Sequence, residues 1–440
     1  MTYSLIKLTL EECVEQLIDY RGKTPKKTDS GIPLITAKVI KNGKILPPTE
    51  FIAENDYESW MRRGIPKEGD VVLTVEAPLG EVAQLDSRKI ALAQRVITLR
   101  GKKDLLNNTF LKYLLMSNEF QSALNGRASG TTVLGIKQSE LRKIQLTFPH
   151  LSIQKKIAHI LSTLDNKIEL NKKINQTLES IAQGIFKSWF VDFDPVHAKA
   201  NAQSEDEFDA IAKELGISRE ILDLFPSEFE ESELGLIPKG WSIKSFSAFA
   251  NIKTKSVKPY NYPEKEWISY SIPAFDSNCY PEICLGAEIK SNKYKVENGA
   301  ILVSKLNPNN PRVWLTNKIS DKAICSTEFM QFVPRNIAHR PFIYCLINSE
   351  YFQNEIQSRV TGTTGSRQRA QPKEIAVIPV INPTFTLIDK FSKIASQLLE
   401  KALINQEENH NLKQIQKILL PKLIYGELEV LNLNLEPEDD

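Results

Sequence analysis

The chain carries one apolar helical pattern twice, at a single fixed offset in the numbering. Between residues 151 and 196, apolar side chains recur at three- and four-residue steps: Ile153, Ile157, Ile160, Leu164, Ile168, Ile174, Leu178, Ile181 and Ile185. This spacing predicts one long helix with an apolar face. Adding 234 gives a second series that runs from Leu387 through Phe391 to Leu419. Because so long a helix cannot bury its apolar face alone, the second copy is its expected partner, and the chain is an internal duplication.

Length and charge divide the rest of the chain into domains. A chain of 440 residues is too long for one ordinary core. Residues 1–150 hold 22 Lys and Arg against 17 Asp and Glu, residues 192–235 hold 3 against 13, and residues 236–383 hold 19 against 11. Two basic domains therefore flank an acidic segment. A basic domain is typical of a polyanion-binding protein, although charge alone favours a simple solvated surface.

The order of short motifs predicts where the domains begin and end. We expect a first mixed α/β domain at 1–150, a long helix at 151–196 and an acidic connector at 197–239. A second domain at 240–383, a second long helix at 384–428 and an acidic tail at 429–440 follow. Gly299–Ser304 matches Gly69–Thr74, and the Gly-Thr-Thr at 362–364 matches that at 130–132. A duplicated scaffold with diverged loops is typical of two binding modules with different targets.

The sequence also indicates whether the chain crosses a membrane. A membrane-spanning helix needs roughly 18 or more apolar residues, and no uncharged run of that length is present. The sequence begins without an apolar signal segment, so we expect a cytoplasmic protein with no membrane partner.

Three motifs carry a resemblance to a known family. They are IFKSWFVDFDPV at 185–196, LGLIPKGW at 234–241 and LPKLIYGEL at 420–428. With these motifs, and with two long helices in the same order, the sequence resembles the DNA-specificity subunits of type I restriction–modification systems along essentially its whole length.

The resemblance implies a fold and a set of partners. The fold is two α/β target-recognition domains joined by two long antiparallel helices that form a coiled-coil spacer, with a pseudo-two-fold internal repeat. Each domain reads half of a split sequence in double-stranded DNA, and the helices set the distance between the halves. The subunit docks two methyltransferase subunits, and translocase–nuclease subunits join them for restriction. S-adenosylmethionine, ATP and Mg²⁺ are expected on those partners, and no cofactor is expected on this chain.

The residues agree with a subunit that is not catalytic by itself. No phosphate-binding loop of the G-x-x-x-x-G-K-[ST] type is present, and the five histidines lack the spacing of metal ligands. Asp194-Pro195-Val196 lacks the second proline and the aromatic residue of an amino-methyltransferase motif. Two alternatives remain open: a self-contained DNA-modifying enzyme, and a coiled-coil scaffold that binds no DNA.

DNA contacts are expected from loops that offer cations, hydroxyls and amides, since these groups bind phosphates and base edges. In the first domain the candidates are Arg21, Lys23, Thr24, Lys26, Lys27, Lys38, Lys41, Lys44, Arg127, Ser129, Thr131 and Thr132. In the second they are Lys253, Lys255, Lys258, Tyr260, Lys305, Asn307, Asn309, Asn310, Arg312, Thr363, Thr364, Ser366, Arg367, Gln368 and Arg369.

A pair of asparagines interrupts each apolar series near its midpoint. Asn171 and Asn175 occupy positions where an apolar residue is expected, and Asn405 and Asn409 repeat them at the same offset. Equivalent midpoints meet in an antiparallel pair with two-fold symmetry, so we predict that Asn171 and Asn405 lie close together and fix the register of the helices. The alternative is that both face water.

Overall fold

The computed structural model describes residues 3–130, 133–202, 204–317, 319–361, 368–428 and 430. It divides into two compact units, the first formed by Met1–Ile168 with Asn411–Asp440 and the second by Glu169–His410. Each unit thus contains one of the two predicted domains together with part of each long helix.

The first unit is built around a four-stranded antiparallel sheet. In sheet order its strands are Val14–Asp19, Val96–Gly101, Val71–Val75 and Leu79–Gln84. The remaining strands are Leu5–Thr9, Ile32–Ile35, Ile40–Lys41, Lys44–Ile45, Phe51–Ile52, Ala91–Leu92 and Gln145–Pro149, and the shorter helices are Leu10–Cys13, Tyr57–Trp60, Asn108–Met116, Asn118–Gly126 and Gln138–Arg142. Because side chains alternate along a strand, Val71 and Leu73 enter one core and Val72 enters another.

The second unit repeats this sheet with the same strand order. The strands are Ala250–Ile252, Phe329–Pro334, Ile301–Ser304 and Val313–Leu315. The other strands are Phe229–Ser232, Gly235–Pro238, Ser242–Ser245, Ser256–Val257, Glu266–Tyr270, Glu282–Leu285, Lys293–Lys295, Ala323–Ser326, Val360–Thr361, Arg369–Ala370 and Pro379–Asn382. The shorter helices are Asp194–Asn201, Glu205–Glu214, Arg219–Asp223, Ile272–Asn278, Arg340–Asn348, Glu350–Ser358 and Pro372–Ala376. The predicted duplication therefore extends from the helices to the domains.

Helix capping is duplicated as well. The Ser117 hydroxyl accepts a hydrogen bond from the Phe120 backbone N–H, and Ser349 accepts one from Phe352, both at 3.3 Å. A side chain of this kind satisfies an N–H group that the first turn of a helix leaves unpaired. The same helix start is thus specified once in each half of the sequence.

Each long helix contains 40 residues, spanning Leu151–Phe190 and Phe385–Ile424. Both end in the same way, because the Asp192 N–H donates to the Lys187 carbonyl and the Glu427 N–H donates to the Lys422 carbonyl, each at 2.8 Å. The first helix therefore ends before Val196, the boundary expected from the sequence.

The buried face of the long helices also recurs at the offset of 234, and it includes most of the face that the sequence pattern predicted. The buried pairs are Ile153 and Leu387, Ile157 and Phe391, Leu161 and Ala395, Ile168 and Ala402, Trp189 and Leu423, and Phe190 and Ile424. Ile181, predicted on the apolar face, is 45 % exposed, and its neighbour Ala182 is buried instead. The inclusion of Ile181 was therefore wrong.

The acidic segment between the domains is folded. Its three helices, Asp194–Asn201, Glu205–Glu214 and Arg219–Asp223, are followed by a hairpin of Phe229–Ser232 and Gly235–Pro238. The Arg219 guanidinium binds the carboxylates of Glu205, Asp209 and Asp223 at 2.7–3.1 Å. The expected connector is thus a small subdomain.

Within the described ranges, no helix is long and apolar enough to cross a membrane.

Candidate DNA interface

A cleft of about 230 Å³ opens in the first recognition domain. Three of the predicted residues, Thr24, Lys27 and Lys38, line it. Four more polar residues that sequence reasoning missed, Thr36, Glu50, Gln94 and Arg95, also line it. The lining residues come from several separate segments of the domain, so only the fold brings them together.

Carboxylates hold the cations of this cleft in place. Glu50 pairs with the Lys27 ammonium at 2.9 Å and with that of Lys38 at 3.9 Å, and Glu76 pairs with Arg95 at 3.4 Å. Exposed ion pairs contribute only about 0–1 kcal/mol each to stability. These cations can therefore exchange a carboxylate for a DNA phosphate at little cost.

The other predicted cations of the first domain differ in their surroundings. Lys23 and Lys26 are exposed, whereas Arg21 lies 4.0 Å from Asp19. Lys41 and Lys44 belong to a hairpin whose Asn42 N–H donates to the Glu81 carboxylate at 2.7 Å, and neither lysine lines the cleft.

A second polar loop follows the helix Asn118–Gly126. Arg127 pairs with Glu140 at 3.2 Å, and the backbone of Ser129 exchanges two hydrogen bonds with Gly135, at 2.9 and 3.0 Å. Gly135 also forms a bridge with Glu76, which places this loop beside the cleft residue Arg95. Thr131 and Thr132 lie outside the described residues.

In the second domain the structure brings together two predicted clusters that are far apart in sequence. The Asn307 N–H donates to the Gln368 carbonyl at 3.2 Å, and the Ala370 N–H donates to the Lys305 carbonyl at 3.0 Å. Asn309 and Asn310 are exposed on the same loop as Asn307. Thr363, Thr364, Ser366 and Arg367 lie outside the described residues.

Several cations of the second domain are held by internal partners. Arg312 forms a two-point ion pair with Asp276 at 2.6 and 2.9 Å, and its side chain is only 11 % exposed. The Lys305 ammonium donates to the Thr327 carbonyl at 2.7 Å, and burial lowers the pKa of Lys305. Arg369 pairs with Glu328 at 3.0 Å but is half exposed. Arg369 is therefore better placed than Arg312 to reach DNA.

The remaining predicted residues of the second domain follow one exposed segment. Lys253, Lys255 and Lys258 are exposed, and the Tyr260 hydroxyl donates to the Asn292 side chain at 3.0 Å.

Four asparagines form hydrogen bonds between the long helices of the second unit. Asn171 donates to the Asn409 side-chain oxygen at 3.0 Å and to Glu408 at 2.8 Å, and Asn405 donates to the side-chain oxygen of Asn175 at 2.8 Å. Asn171 and Asn405 are each 1 % exposed, so they do not face water. Their hydrogen bonds nevertheless join each to the asparagine one turn away from the predicted partner. A role in fixing the register remains a prediction.

Comparison with known proteins supports one family. The profile described as "Type I restriction modification DNA specificity domain" matches residues 12–180. The MjaIX specificity subunit of Methanocaldococcus jannaschii, a type I restriction enzyme component, is 28 % identical over 423 residues, covering 91 % of this chain and 88 % of the relative. The HindI specificity subunit of Haemophilus influenzae is 27 % identical over 385 residues, or 78 % and 82 % of the two chains. The chain is similar to type I DNA-specificity subunits over most of its length.

A solved structure agrees with the fold of this chain. The type I S subunit from M. genitalium aligns with a TM-score of 0.53 and 18 % identity, covering 96 % of each chain. At that identity the similarity supports the two-domain, two-helix fold alone.

The first unit contains a polar network that sequence reasoning missed. The carboxylate of Asp165 accepts hydrogen bonds from Lys112 and Tyr113 at 2.7 Å and from Gln416 at 2.9 Å. It thereby joins the domain helix Asn108–Met116 to both long helices. The local sequence gives no signal of it, because the four residues come from three separate helices.

Proposed function

We propose that this chain is the sequence-reading subunit of a type I restriction–modification complex, working in the cytoplasm on double-stranded DNA. Each recognition domain binds one half of a bipartite target, and the long helices set the spacer. The observation that carries this proposal is the repeated domain: strand order and helix caps are the same in both copies, whereas the loops beside the sheet carry different polar residues. Two copies of one scaffold with different loops suit two different half-sites.

Two methyltransferase subunits are the proposed docking partners, with translocase–nuclease subunits joining them for restriction. Large apolar side chains are exposed at matching positions of the two long helices, at Leu170 and Ile404 and again at Ile181 and Ile415. A repeated exposed apolar surface suits two copies of the same partner.

The chemistry is proposed to lie on those partners. S-adenosylmethionine would serve the methyltransferases, and ATP with Mg²⁺ would serve the translocase–nucleases. Within the parts of the chain that the structure describes, no group of three or more His, Cys, Asp or Glu is arranged to hold a metal.

One experiment tests the proposal against its alternatives. The chain is co-purified with its methyltransferase, incubated with S-adenosylmethionine and a random double-stranded DNA library, and the methylated adenines are mapped by sequencing. We expect one bipartite motif with a fixed spacer. Methyl transfer by the isolated chain would favour a self-contained enzyme, and methylation without any motif would favour a scaffold.

A further inference from the structure

The two recognition domains carry opposite charges at one equivalent position. In the first domain Thr74 pairs with Val96 across the sheet, and the Val75 N–H donates to the Arg95 carbonyl at 3.0 Å. In the second, Ser304 pairs with Phe329, and the Lys305 N–H donates to the Glu328 carbonyl at 2.8 Å. The same backbone bond thus identifies Arg95 and Glu328 as structural equivalents, each in the turn that precedes a central strand.

We infer that this turn reads bases, with Gln94 and Arg95 determining specificity in the first domain; the inference rests on the proposed function. Arg95 is suited to the O6 and N7 acceptors of guanine, and Gln94 to the N6 and N7 groups of adenine.

The surroundings of Gln94 leave its amide available to DNA. The side chain lines the cleft and is partly exposed, and it makes no hydrogen bond to any residue that the structure describes. An amide offers a donor and an acceptor side by side, which is the pattern that an adenine edge complements. Gln94 can therefore make two hydrogen bonds to a base without breaking an existing hydrogen bond.

The surroundings of Arg95 aim its side chain and leave it exchangeable. Glu76 holds the guanidinium at 3.4 Å, and the two side chains are 47 % and 41 % exposed. An exposed pair of this kind contributes little to stability, so a guanine edge can replace the carboxylate. Glu76 would then make no contact with a base itself and would orient the Arg95 side chain before DNA binds.

The rim of the cleft suits the DNA backbone. Lys27 and Lys38 both pair with Glu50 and line the same cleft as Gln94. Ammonium groups on flexible stems are typical phosphate ligands, and phosphate contacts fix the register in which base edges are read. The cleft thus combines backbone contacts with base contacts.

In the second domain the equivalent turn bears Thr327 and Glu328 in place of Gln94 and Arg95. Glu328 holds Arg369 at 3.0 Å, so the charge order of the pair is reversed relative to Arg95 and Glu76. A carboxylate can accept from the N4 amino group of cytosine, which an arginine cannot do. Different residues at one scaffold position would give the two domains different half-sites.

The test uses the complex of this chain with its methyltransferase and a random double-stranded library, with methylated motifs mapped by sequencing. Arg95→Ala is expected to relax one base pair in one half of the motif, lowering discrimination there by roughly 5- to 150-fold, the ratio a bidentate contact carries. Gln94→Ala should relax one base pair in the same half. The other half and the spacer should stay unchanged.

Arg88→Ala is the matched control, because Arg88 is 52 % exposed and also pairs with a nearby carboxylate, that of Asp86, but does not line the cleft. Gln94→Glu preserves shape and should move the preference at one position from adenine towards cytosine, so it decides the matter if an alanine variant unfolds. An unchanged motif in these variants, or an equal loss of methylation on every sequence, would overturn the inference. A wild-type complex without a bipartite motif would instead overturn the proposed function.

Discussion

Asn405 donates a hydrogen bond from its side-chain amide to the side-chain oxygen of Asn175 at 2.8 Å, across the two long helices. Asn175 in turn donates to the Ala402 backbone carbonyl at 3.0 Å. A buried polar pair of this kind weakens a helical seam relative to apolar residues but penalises every other register, because a shifted pair leaves its amides unpaired.

Replacing the pair separates these two effects. Asn405→Leu alone leaves the Asn175 oxygen buried without a donor and should lower the free energy of unfolding by about 1–3 kcal/mol. Asn175→Leu with Asn405→Leu should recover most of that loss or exceed the wild-type stability. Thermal and urea unfolding of the four proteins in a double-mutant cycle measures the coupling.

The register of the two long helices should then affect the spacer length that the complex accepts in DNA. A one-turn slip moves one helix past the other by about 5.4 Å, which exceeds the rise of roughly 3.4 Å per base pair. The double leucine variant is therefore expected to accept more than one spacer length. A library in which only the spacer varies tests this, and a single retained spacer at raised stability would contradict the register role.

The Asp165 network predicts a pH dependence of stability. Burial opposes ionisation of Asp165, but the charge of Lys112 and the hydrogen bonds from Lys112, Tyr113 and Gln416 outweigh it and hold the pKa of the carboxyl below its ordinary value. A carboxyl with a lowered pKa in the folded state stabilises the fold above the pKa of the unfolded state, near 3.9, and loses that contribution as the pH falls through the folded value.

Asp165→Asn should remove this contribution and leave the Lys112 ammonium buried without its carboxylate, at a cost of about 3 kcal/mol near pH 7. The loss should shrink below about pH 4, where the carboxyl of the unfolded wild-type chain is increasingly protonated. Asp86→Asn is the matched control, since Asp86 pairs with Arg88 and both side chains are 52 % exposed. This variant should change the free energy of unfolding by less than about 1 kcal/mol. Equal losses at pH 7 and pH 3 would show that charge is not the cause.

The sequence predicted the helices and the duplication because the offset of 234 is preserved by the buried pairs, from Ile153 with Leu387 to Phe190 with Ile424. It was wrong at one pair of positions, because residue type alone does not report burial. Ile181 and Ile415 both match the apolar pattern, yet both are 45 % exposed.

The candidate site was predicted less well, for a different physical reason. The sequence does not distinguish one loop cation from another. The fold pairs some of them with carboxylates that are distant in sequence, as it pairs Arg312 with Asp276, 36 positions away. Gln94 and Arg95 carry no local signal, because they line one cleft with Lys27 only when the sheet forms.

The basic rim of the first cleft predicts a dependence on salt. If Lys27 and Lys38 bind phosphates, the Lys27→Ala, Lys38→Ala variant of the complex should bind all DNA sequences more weakly. The slope of log affinity against log salt should become shallower by about 0.9 for each phosphate that is no longer neutralised. Lys213→Ala in the acidic subdomain is the control, since that lysine is exposed but belongs to the helix Glu205–Glu214. Fluorescence anisotropy at several salt concentrations measures the slopes, and unchanged slopes would remove both lysines from the interface.

The closing strands of the second domain predict where it can be exchanged. Ser242–Ser245 pairs with Pro379–Asn382, so both ends of the domain meet in one two-stranded ribbon. Replacing residues 242–382 with the matching domain of a related specificity subunit therefore cuts the chain at adjacent points and leaves the first unit intact.

This exchange should change only one half of the methylated motif and keep the spacer, because the helix residues 151–190 and 385–424 are retained. The measurement is the motif found by sequencing methylated adenines in cells that carry the hybrid complex. Returning the original residues 242–382 to the hybrid should restore the original motif. Changes in both halves would mean that the two domains do not read their half-sites independently.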